Sequence, residues 1–200
     1  MYRFRLAIDL DDTIANTIAE WLKEASLELG RTIKKDEINE YDIHKVLKLD
    51  KEYVSATFSK VWKKHHGIKL LDARIPQIMK RISEKYEVLV LTASPGKDKD
   101  IEEWLHNNNV SYSRLIKVEH AIEKAELGKR LGVSIFVDDS PKVAGFVVER
   151  GMDLIMVRQP WNKNFIEKNT SKHIFPVSNW AEVEKILEKL SKHVTKGNLH

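Results

Sequence analysis

Near the start of the chain, Asp9-Leu10-Asp11-Asp12-Thr13 gathers three carboxylates directly behind the apolar run Phe4-Arg5-Leu6-Ala7-Ile8. Carboxylates crowded at the end of a buried strand repel one another and lose hydration. Such a cluster is costly unless a cation or a cationic ligand holds it. A second acidic pair, Asp138-Asp139, follows another apolar run, Val133-Ser134-Ile135-Phe136-Val137. Two acidic strand ends in one chain point to one divalent-metal site. In an extended chain, residues two apart share a side. A strand running just past Ile8 therefore groups Asp9 with Asp11 and turns Asp12 away. With Asp138 at the matching place behind the other run, the three carboxylates make a hard, oxygen-rich site suited to Mg²⁺ and phosphate oxygens.

The elements that must position these groups follow from the hydrophobic pattern. Strand-like apolar runs recur at 4–8, 87–91, 114–118, 133–137, 154–157 and 173–177, and several are apolar throughout, as in Val88-Leu89-Val90-Leu91. Strands buried on both faces read this way, and parallel sheets produce them. Helical patterns at 75–86, 98–107, 119–131 and 141–150 alternate with them. The expected fold class is therefore α/β, with helices on both faces of the sheet. Ligands of open α/β sheets bind beyond the carboxyl ends of the strands, where the acidic residues fall.

Between residues 9 and 86 the alternation breaks. Ile14, Ile18, Trp21, Leu22, Ala25 and Leu29 recur at spacings of three and four, forming one helix face that stops at Gly30. Residues 36–47 and 51–64 read as two more helices. This helical insertion is too long for a loop. The expected organisation is a core of residues 1–13 and 75–200 and a small helical cap of residues 14–74 over the sheet's carboxyl edge. The polar tail after Lys192 is expected to fray.

Composition sets outer bounds. Two hundred residues with 42% hydrophobic content bury a real core. The absence of cysteine removes disulfides and thiolate metal sites and is compatible with the cytoplasm. The start lacks the long apolar stretch of a signal peptide or membrane span, so a soluble, cytoplasmic protein with no membrane partner is expected. The net charge of +4 raises nucleic acid as a partner. The lysines, however, are interspersed with glutamates along helices, as in 182–192, which favours a solvated surface.

Taken in order, these pieces resemble the haloacid dehalogenase-like phosphohydrolases. Asp9, Asp11 and Thr13 match the family's Asp-x-Asp-x-Thr motif. Thr92 matches the Ser or Thr that ends a strand, a Lys follows, and Asp138-Asp139 matches the closing acidic pair. The likeness runs from residue 4 to about residue 160. It implies a Rossmann-like three-layer fold around a mostly parallel sheet, with a cap inserted between the first two strands. The segments 124–132, 136–141 and Gln159-Pro160-Trp161-Asn162 are similar to the 5′-nucleotidase type C group, which includes the 5′(3′)-deoxyribonucleotidases.

The resemblance implies a Mg²⁺-dependent phosphomonoester hydrolase acting on a small phosphorylated metabolite, a nucleotide in particular. Asp9 would attack phosphorus and form an aspartyl-phosphate; Asp11 would act as general acid and then general base. The metal would be held by Asp9, the backbone carbonyl of Asp11, and Asp138, with Asp139 behind it holding a water or the Lys. Thr92 and the Lys would bind the transferring phosphoryl group. Lys124 is preferred for the Lys; Lys117, in the preceding strand, is the alternative.

Further residues have local roles as well as possible functional ones. Asp12 reads as local structure, Thr13 as a cap of a helix starting at Ile14, Ser94 as a turn residue, and Ser140-Pro141 as an N-cap and first helical residue. Trp21, Tyr41, Trp62, Lys63, His65 and His66 are candidates for choosing the substrate from the cap, and Trp161 and Asn162 for lining the rim or anchoring their loop. Alternative functions are action on a sugar phosphate or a nucleic-acid end, and an Asp-phosphorylated signalling receiver. The receiver is disfavoured because no Asp ends the 114–118 run. Dehalogenase chemistry is disfavoured by the presence of Asp11.

Overall fold

A computed structural model describes residues 4–197; the end of the tail expected to fray lies outside the described residues. The chain runs β1 (Phe4–Ile8), α1 (Thr17–Glu28), α2 (Ile43–Val46), α3 (Lys51–Lys63), α4 (Ile75–Lys85), β2 (Tyr86–Thr92), α5 (Asp98–Asn107), β3 (Arg114–Lys117), α6 (Glu123–Arg130), β4 (Val133–Asp138), α7 (Pro141–Glu149), β5 (Asp153–Val157), α8 (Lys163–Lys168), β6 (Ile174–Val177) and α9 (Trp180–Gly197). All six strand-like runs form strands of one sheet, ordered β3-β2-β1-β4-β5-β6, and every pairing is parallel.

The strands alternate in the way the pleat requires. Leu6, Ile8, Val88, Val90, Ile135 and Val137 belong to one hydrophobic cluster, which α4, α5 and α9 complete. Ala7, Leu89, Leu91 and Phe136 belong to the other, which α6 and α7 cover. The result is three layers. Ile8 sits opposite Val90 of β2 and Val137 of β4. The strand order reverses between β1 and β4, so the crevice of this sheet opens beyond those two carboxyl ends.

The expected helical insertion is present but less regular than its pattern. α1 begins at Thr17 rather than near Ile14, because residues 11–15 are used in a turn: Asp12 takes the left-handed φ of 54° and its N–H donates to the Ala15 carbonyl. The single helix expected over 36–47 is replaced by a 3-10 turn at Lys35–Glu37 and the short α2. Fully buried Ile38 anchors the backbone between them, and Asn39, Tyr41 and Asp42 give no continuous apolar stripe. The helix expected from residue 119 starts only at Glu123.

The insertion does not have a core of its own. Ile14, Ile18, Trp21, Ile38, Val61 and Trp62 share one cluster with Ile8 and Val90 of the sheet. Backbone bonds from Asn16 to Lys69 and from Leu71 to Ile14, both 2.8 Å, tie its two ends together.

Candidate active site

The turn after β1 sorts its three aspartates. Asp9 N–H donates to the Val137 carbonyl at 2.9 Å, so the strand pairing carries one residue past Ile8 and seats Asp9 beside Asp138. The left-handed backbone of Asp12, which aspartate tolerates, sends its carboxylate toward α1. There it accepts from the Ile18 N–H at 3.0 Å and the Thr17 hydroxyl at 3.2 Å. Asp12 is therefore the residue that satisfies the start of α1, as its reading as local structure expected. Thr13 does not cap that helix: its hydroxyl is buried without a hydrogen-bond partner, while its carbonyl accepts from Trp180 Nε1 at 2.9 Å.

Lys124 closes the central cluster. It is 2% exposed, with Nζ 2.8 Å from Asp9 Oδ1 and 2.9 Å from Asp138 Oδ2. Its reach depends on Gly128, one turn later on the same helix face, where a Cβ would lie 2.4 Å from Phe136 Cζ. The missing side chain lets α6 lie close to β4 and sets Lys124 at the strand end. Burial disfavours the ammonium, but Asp138 and Asp9 outweigh that and hold its pKa above the ordinary lysine value. Lys117 also lines the crevice, but its ammonium is engaged by other groups: it donates to the Gly96 carbonyl at 2.5 Å and pairs with Asp98 at 3.2 Å.

The carboxylates register their crowding. Burial pushes Asp9 up to about 7; Lys124 opposes the rise, and Asp138 and Asp11 add to it. Burial raises Asp11 as well, against hydrogen bonds from Ser94, Trp62 and Thr17. Asp139 stands well above the ordinary carboxylate range through burial, with Asp138 and Asp9 close by. Asp138 Oδ1 accepts from the Ser140 N–H at 2.8 Å. Ser140 occupies the N-cap position of α7, with Pro141 at the first helical position, but makes no side-chain capping bond.

The loop after β2 brings in a partner that the sequence reading assigned differently. Thr92 ends β2, and its hydroxyl accepts from the Ser94 N–H at 3.0 Å; Ser94 Oγ in turn accepts from Gly96 N–H at 3.3 Å. Ser94 thus makes the expected turn and also lines the crevice. Gly96 lies against Trp62, where a Cβ would come within 2.6 Å of Cγ. Trp62, fully buried, points its indole N–H at Asp11 Oδ1 at 3.0 Å. The residue taken as a candidate for substrate choice is a hydrogen-bond partner of the prospective acid/base, and an aromatic near the end of a helical segment gave no signal of that.

A crevice of about 560 Å³ opens over these groups, within the ~300–1,000 Å³ typical of small-molecule sites. Asp9, Asp11, Thr92, Lys124 and Asp139 line its floor, while Tyr41, Val54 and Phe58 of the insertion line its wall. Of the insertion residues singled out from sequence, only Tyr41 is on that wall. Trp21 is buried and donates to the Val54 carbonyl at 3.2 Å. Lys63 and His66 are exposed and His65 is buried, all three away from the crevice. Trp161 both lines the crevice and donates to Asp139 Oδ2 at 2.6 Å. Asn162 anchors the loop by donating to the Asp139 and Val157 carbonyls. Gln159, not assigned a role from sequence, donates to the Asp12 carbonyl at 2.8 Å and braces the turn after β1 from the end of β5.

The donor set fits a hard divalent cation. Asp9, Asp138 and Asp139 are all buried and offer carboxylate oxygens within 4.8 Å of one another. With Asp11 beside them, four carboxylates face one ammonium, an imbalance that a doubly charged ion offsets. Asp139 thus lies as close to Asp9 and Asp138 as a shared ion would require.

Sheet order, layer arrangement and the placement of the acidic strand ends define the haloacid dehalogenase-like fold. The chain superimposes on the haloacid dehalogenase-like hydrolase SP0104 of Streptococcus pneumoniae with a TM-score of 0.68, covering 92% of this chain and 98% of that one at 11% identity. It also superimposes on a predicted phosphoglycolate phosphatase of Haemophilus somnus with a TM-score of 0.63, covering 94% and 99% at 15% identity. In sequence it is 21% identical over 194 residues to a nucleotidase of Clostridium acetobutylicum, spanning 95% of this chain and 96% of that protein. No protein-family model matches the chain.

Proposed function

We propose that the protein is a Mg²⁺-dependent phosphomonoesterase acting through an aspartyl-phosphate, with a nucleotide-class substrate. The observation that carries this reading is the juxtaposition of buried Asp9, Lys124 and Asp138 at 2.8–2.9 Å, with Asp11 two residues beyond Asp9 on the same crevice.

Asp9 is the nucleophile. Its carboxylate forms a bond to phosphorus as the ester P–O bond breaks, and Asp11, whose burial favours the protonated form, gives its proton to the leaving oxygen. In the second half Asp11, now ionised, takes a proton from water, the water oxygen bonds to phosphorus, and the Asp9–phosphorus bond breaks to release inorganic phosphate. Lys124 and Thr92 hold the phosphoryl oxygens through both halves. Asp9, Asp138 and Asp139, with the Asp11 carbonyl, would hold Mg²⁺, which supplies relief of the repulsion between carboxylate and phosphate. Trp62 keeps Asp11 turned toward the crevice.

Residues 14–74 act in this reading as a cap that selects the substrate. Tyr41, Phe58 and Trp161 offer aromatic surface for a base, and the nucleotidase relative supports a nucleotide over a sugar phosphate or a nucleic-acid end. Among the described residues no helix is long and apolar enough to cross a membrane.

The test is Asp9→Asn against a panel of nucleoside monophosphates, sugar phosphates and phosphorylated oligonucleotides. The native chain should hydrolyse nucleoside monophosphates with Mg²⁺, and the variant should be folded and inactive. Substantial turnover by the variant removes Asp9 as nucleophile, and turnover of oligonucleotides alone removes the small-molecule assignment.

A further inference from the structure

We infer that His65, His66 and Glu103 form a second metal site, suited to a borderline transition ion such as Zn²⁺ and separate from the all-oxygen site at the strand ends. The two histidines open the 3-10 turn His65–Gly67 that follows α3, and Glu103 stands on α5 next to it. Their ligand atoms lie within 4.8 Å of one another.

His65 is the residue that points to a ligand. It is only 5% exposed, yet neither Nδ1 nor Nε2 has a hydrogen-bond partner. A neutral imidazole carries one donor and one acceptor, and burying both unpaired is costly. Glu103 does not supply the missing bond: its Oε1 is 3.6 Å from His65 Nε2, beyond hydrogen-bond range. The separation instead suits two ligands of one ion. Bonds of about 2.1 Å in a tetrahedral zinc site put neighbouring ligand atoms about 3.4 Å apart.

The His66 ring lies 4.1 Å from that of His65, centroid to centroid. His66 is exposed and the Glu103 side chain is 43% exposed, so the ion enters from solvent and a water takes the fourth position. Two imidazoles and one carboxylate favour Zn²⁺ or its neighbours over Mg²⁺, which prefers oxygen alone.

The position gives the site a use. Trp62 lies three residues before His65, and Trp104 follows Glu103; the two rings meet edge to face at 6.0 Å. Trp104 Nε1 also donates to the Ile68 carbonyl at 2.9 Å. An ion here fastens the insertion to α5 right beside the tryptophan that holds Asp11.

The experiment uses the untagged, metal-stripped full chain in excess Mg²⁺, which fills the oxygen site, titrated with Zn²⁺ by calorimetry and with Co²⁺ by visible absorption. We expect one equivalent of Zn²⁺ and a low-coordinate Co²⁺ spectrum. His66→Ala and Glu103→Gln, both at exposed positions, should each weaken binding more than about 10-fold, the scale on which even outer partners of a metal act. Binding should survive Asp9→Asn. A native chain that takes up no Zn²⁺ under these conditions overturns the proposal, as does a His66→Ala/Glu103→Gln double variant that binds Zn²⁺ as tightly as the native chain.

Discussion

Replacing Trp62 by Phe removes one N–H from Asp11 and little else of its charge environment. The bond is 3.0 Å long, made by a fully buried indole. A hydrogen bond to a charged group contributes about 1.5–3 kcal/mol, and one pKa unit corresponds to about 1.4 kcal/mol. The indole is a donor only, so it favours the ionised carboxylate. Its loss should therefore raise the Asp11 pKa by about one to two units, on top of the rise that burial already imposes. In the proposed mechanism, ionised Asp11 takes the proton from the attacking water, whereas protonating the leaving group suits the raised pKa. The variant should thus be impaired in the second half of the reaction. The acidic limb of its pH–rate profile should move up by about one to two pH units, with turnover down about 10- to 100-fold on that limb and phosphoenzyme accumulating after rapid quench. Trp104→Phe supplies the control: it trims the other ring of the same edge-to-face pair without touching Asp11. An unshifted limb in folded Trp62→Phe, or an equal shift in Trp104→Phe, would refute the positioning role.

Lys124→Met should cost about 3–5 kcal/mol in chemical denaturation without divalent ions, because it leaves Asp9 and Asp138 buried with no cation between them; Mg²⁺ should recover part of that while activity stays lost. Gly96→Ala drives a Cβ to 2.6 Å from Trp62 Cγ, and its expected destabilisation of about 1–3 kcal/mol should come with a fall in kcat, measured by melting and steady-state kinetics. Asp9 and Asp12 each have a folded-state pKa near 7 against an ordinary 3.8. The folded state therefore keeps protons that the unfolded chain has released between those values. The metal-free protein should lose a few kcal/mol of stability as pH rises from about 4 to 7, and Mg²⁺ should blunt that loss; a melting temperature that climbs over this window contradicts the buried-carboxylate account. Asp72→Asn should cost about 1–3 kcal/mol by urea denaturation, since the carboxylate, held at a pKa of about 2 mainly by Arg74, also receives the Trp180 N–H that starts α9.

What was legible in the sequence is what short-range rules govern. Fully apolar runs such as 88–91 have few alternatives to a buried strand, and the acidic residues behind 4–8 and 133–137 fall at strand ends once those runs are placed. The sequence reading preferred Lys124 to Lys117 on the matching segment alone, and no periodicity separates the two. Lys117 sits directly across from Thr92 in register and is drawn off by the Gly96 carbonyl and Asp98, whereas Lys124 arrives because Gly128 lets a helix settle on Phe136. The insertion was harder. Its apolar residues satisfy a helical spacing whether or not the chain stays helical, and Ile38 is as well buried in an irregular stretch as it would be in a helix. The contacts of Trp62 and Gln159 were the least legible, since each is made by a single polar atom whose partner lies far away in sequence, at Asp11 and at the Asp12 carbonyl.

The insertion is held to the core very unevenly, and that limits how it can work as a cap. At its base the ties are buried: a shared hydrophobic cluster, the Trp62–Asp11 and Trp104–Ile68 hydrogen bonds, and the backbone pairs joining residues 14–16 to residues 69–71. At its far side the ties are lighter: the Lys142–Asp42 ion pair at 2.6 Å, Lys142 over the Tyr41 ring and Lys35 over the Trp161 ring, each at 5.5 Å, with Tyr41 and Ile43 partly buried against the shared cluster. That ion pair is solvent-accessible and so contributes about 0–1 kcal/mol. In the proposed reading of the insertion as a cap, parting the Tyr41–Asp42 segment from α7 to admit substrate breaks fewer buried ties than moving its base. Swinging the whole insertion would expose apolar core and strip Asp11 of its indole partner. A cap of the proposed kind, opening from its far side, would admit a ligand between Tyr41 and Trp161 while Asp9, Asp11 and Lys124 keep the geometry that the proposed chemistry needs.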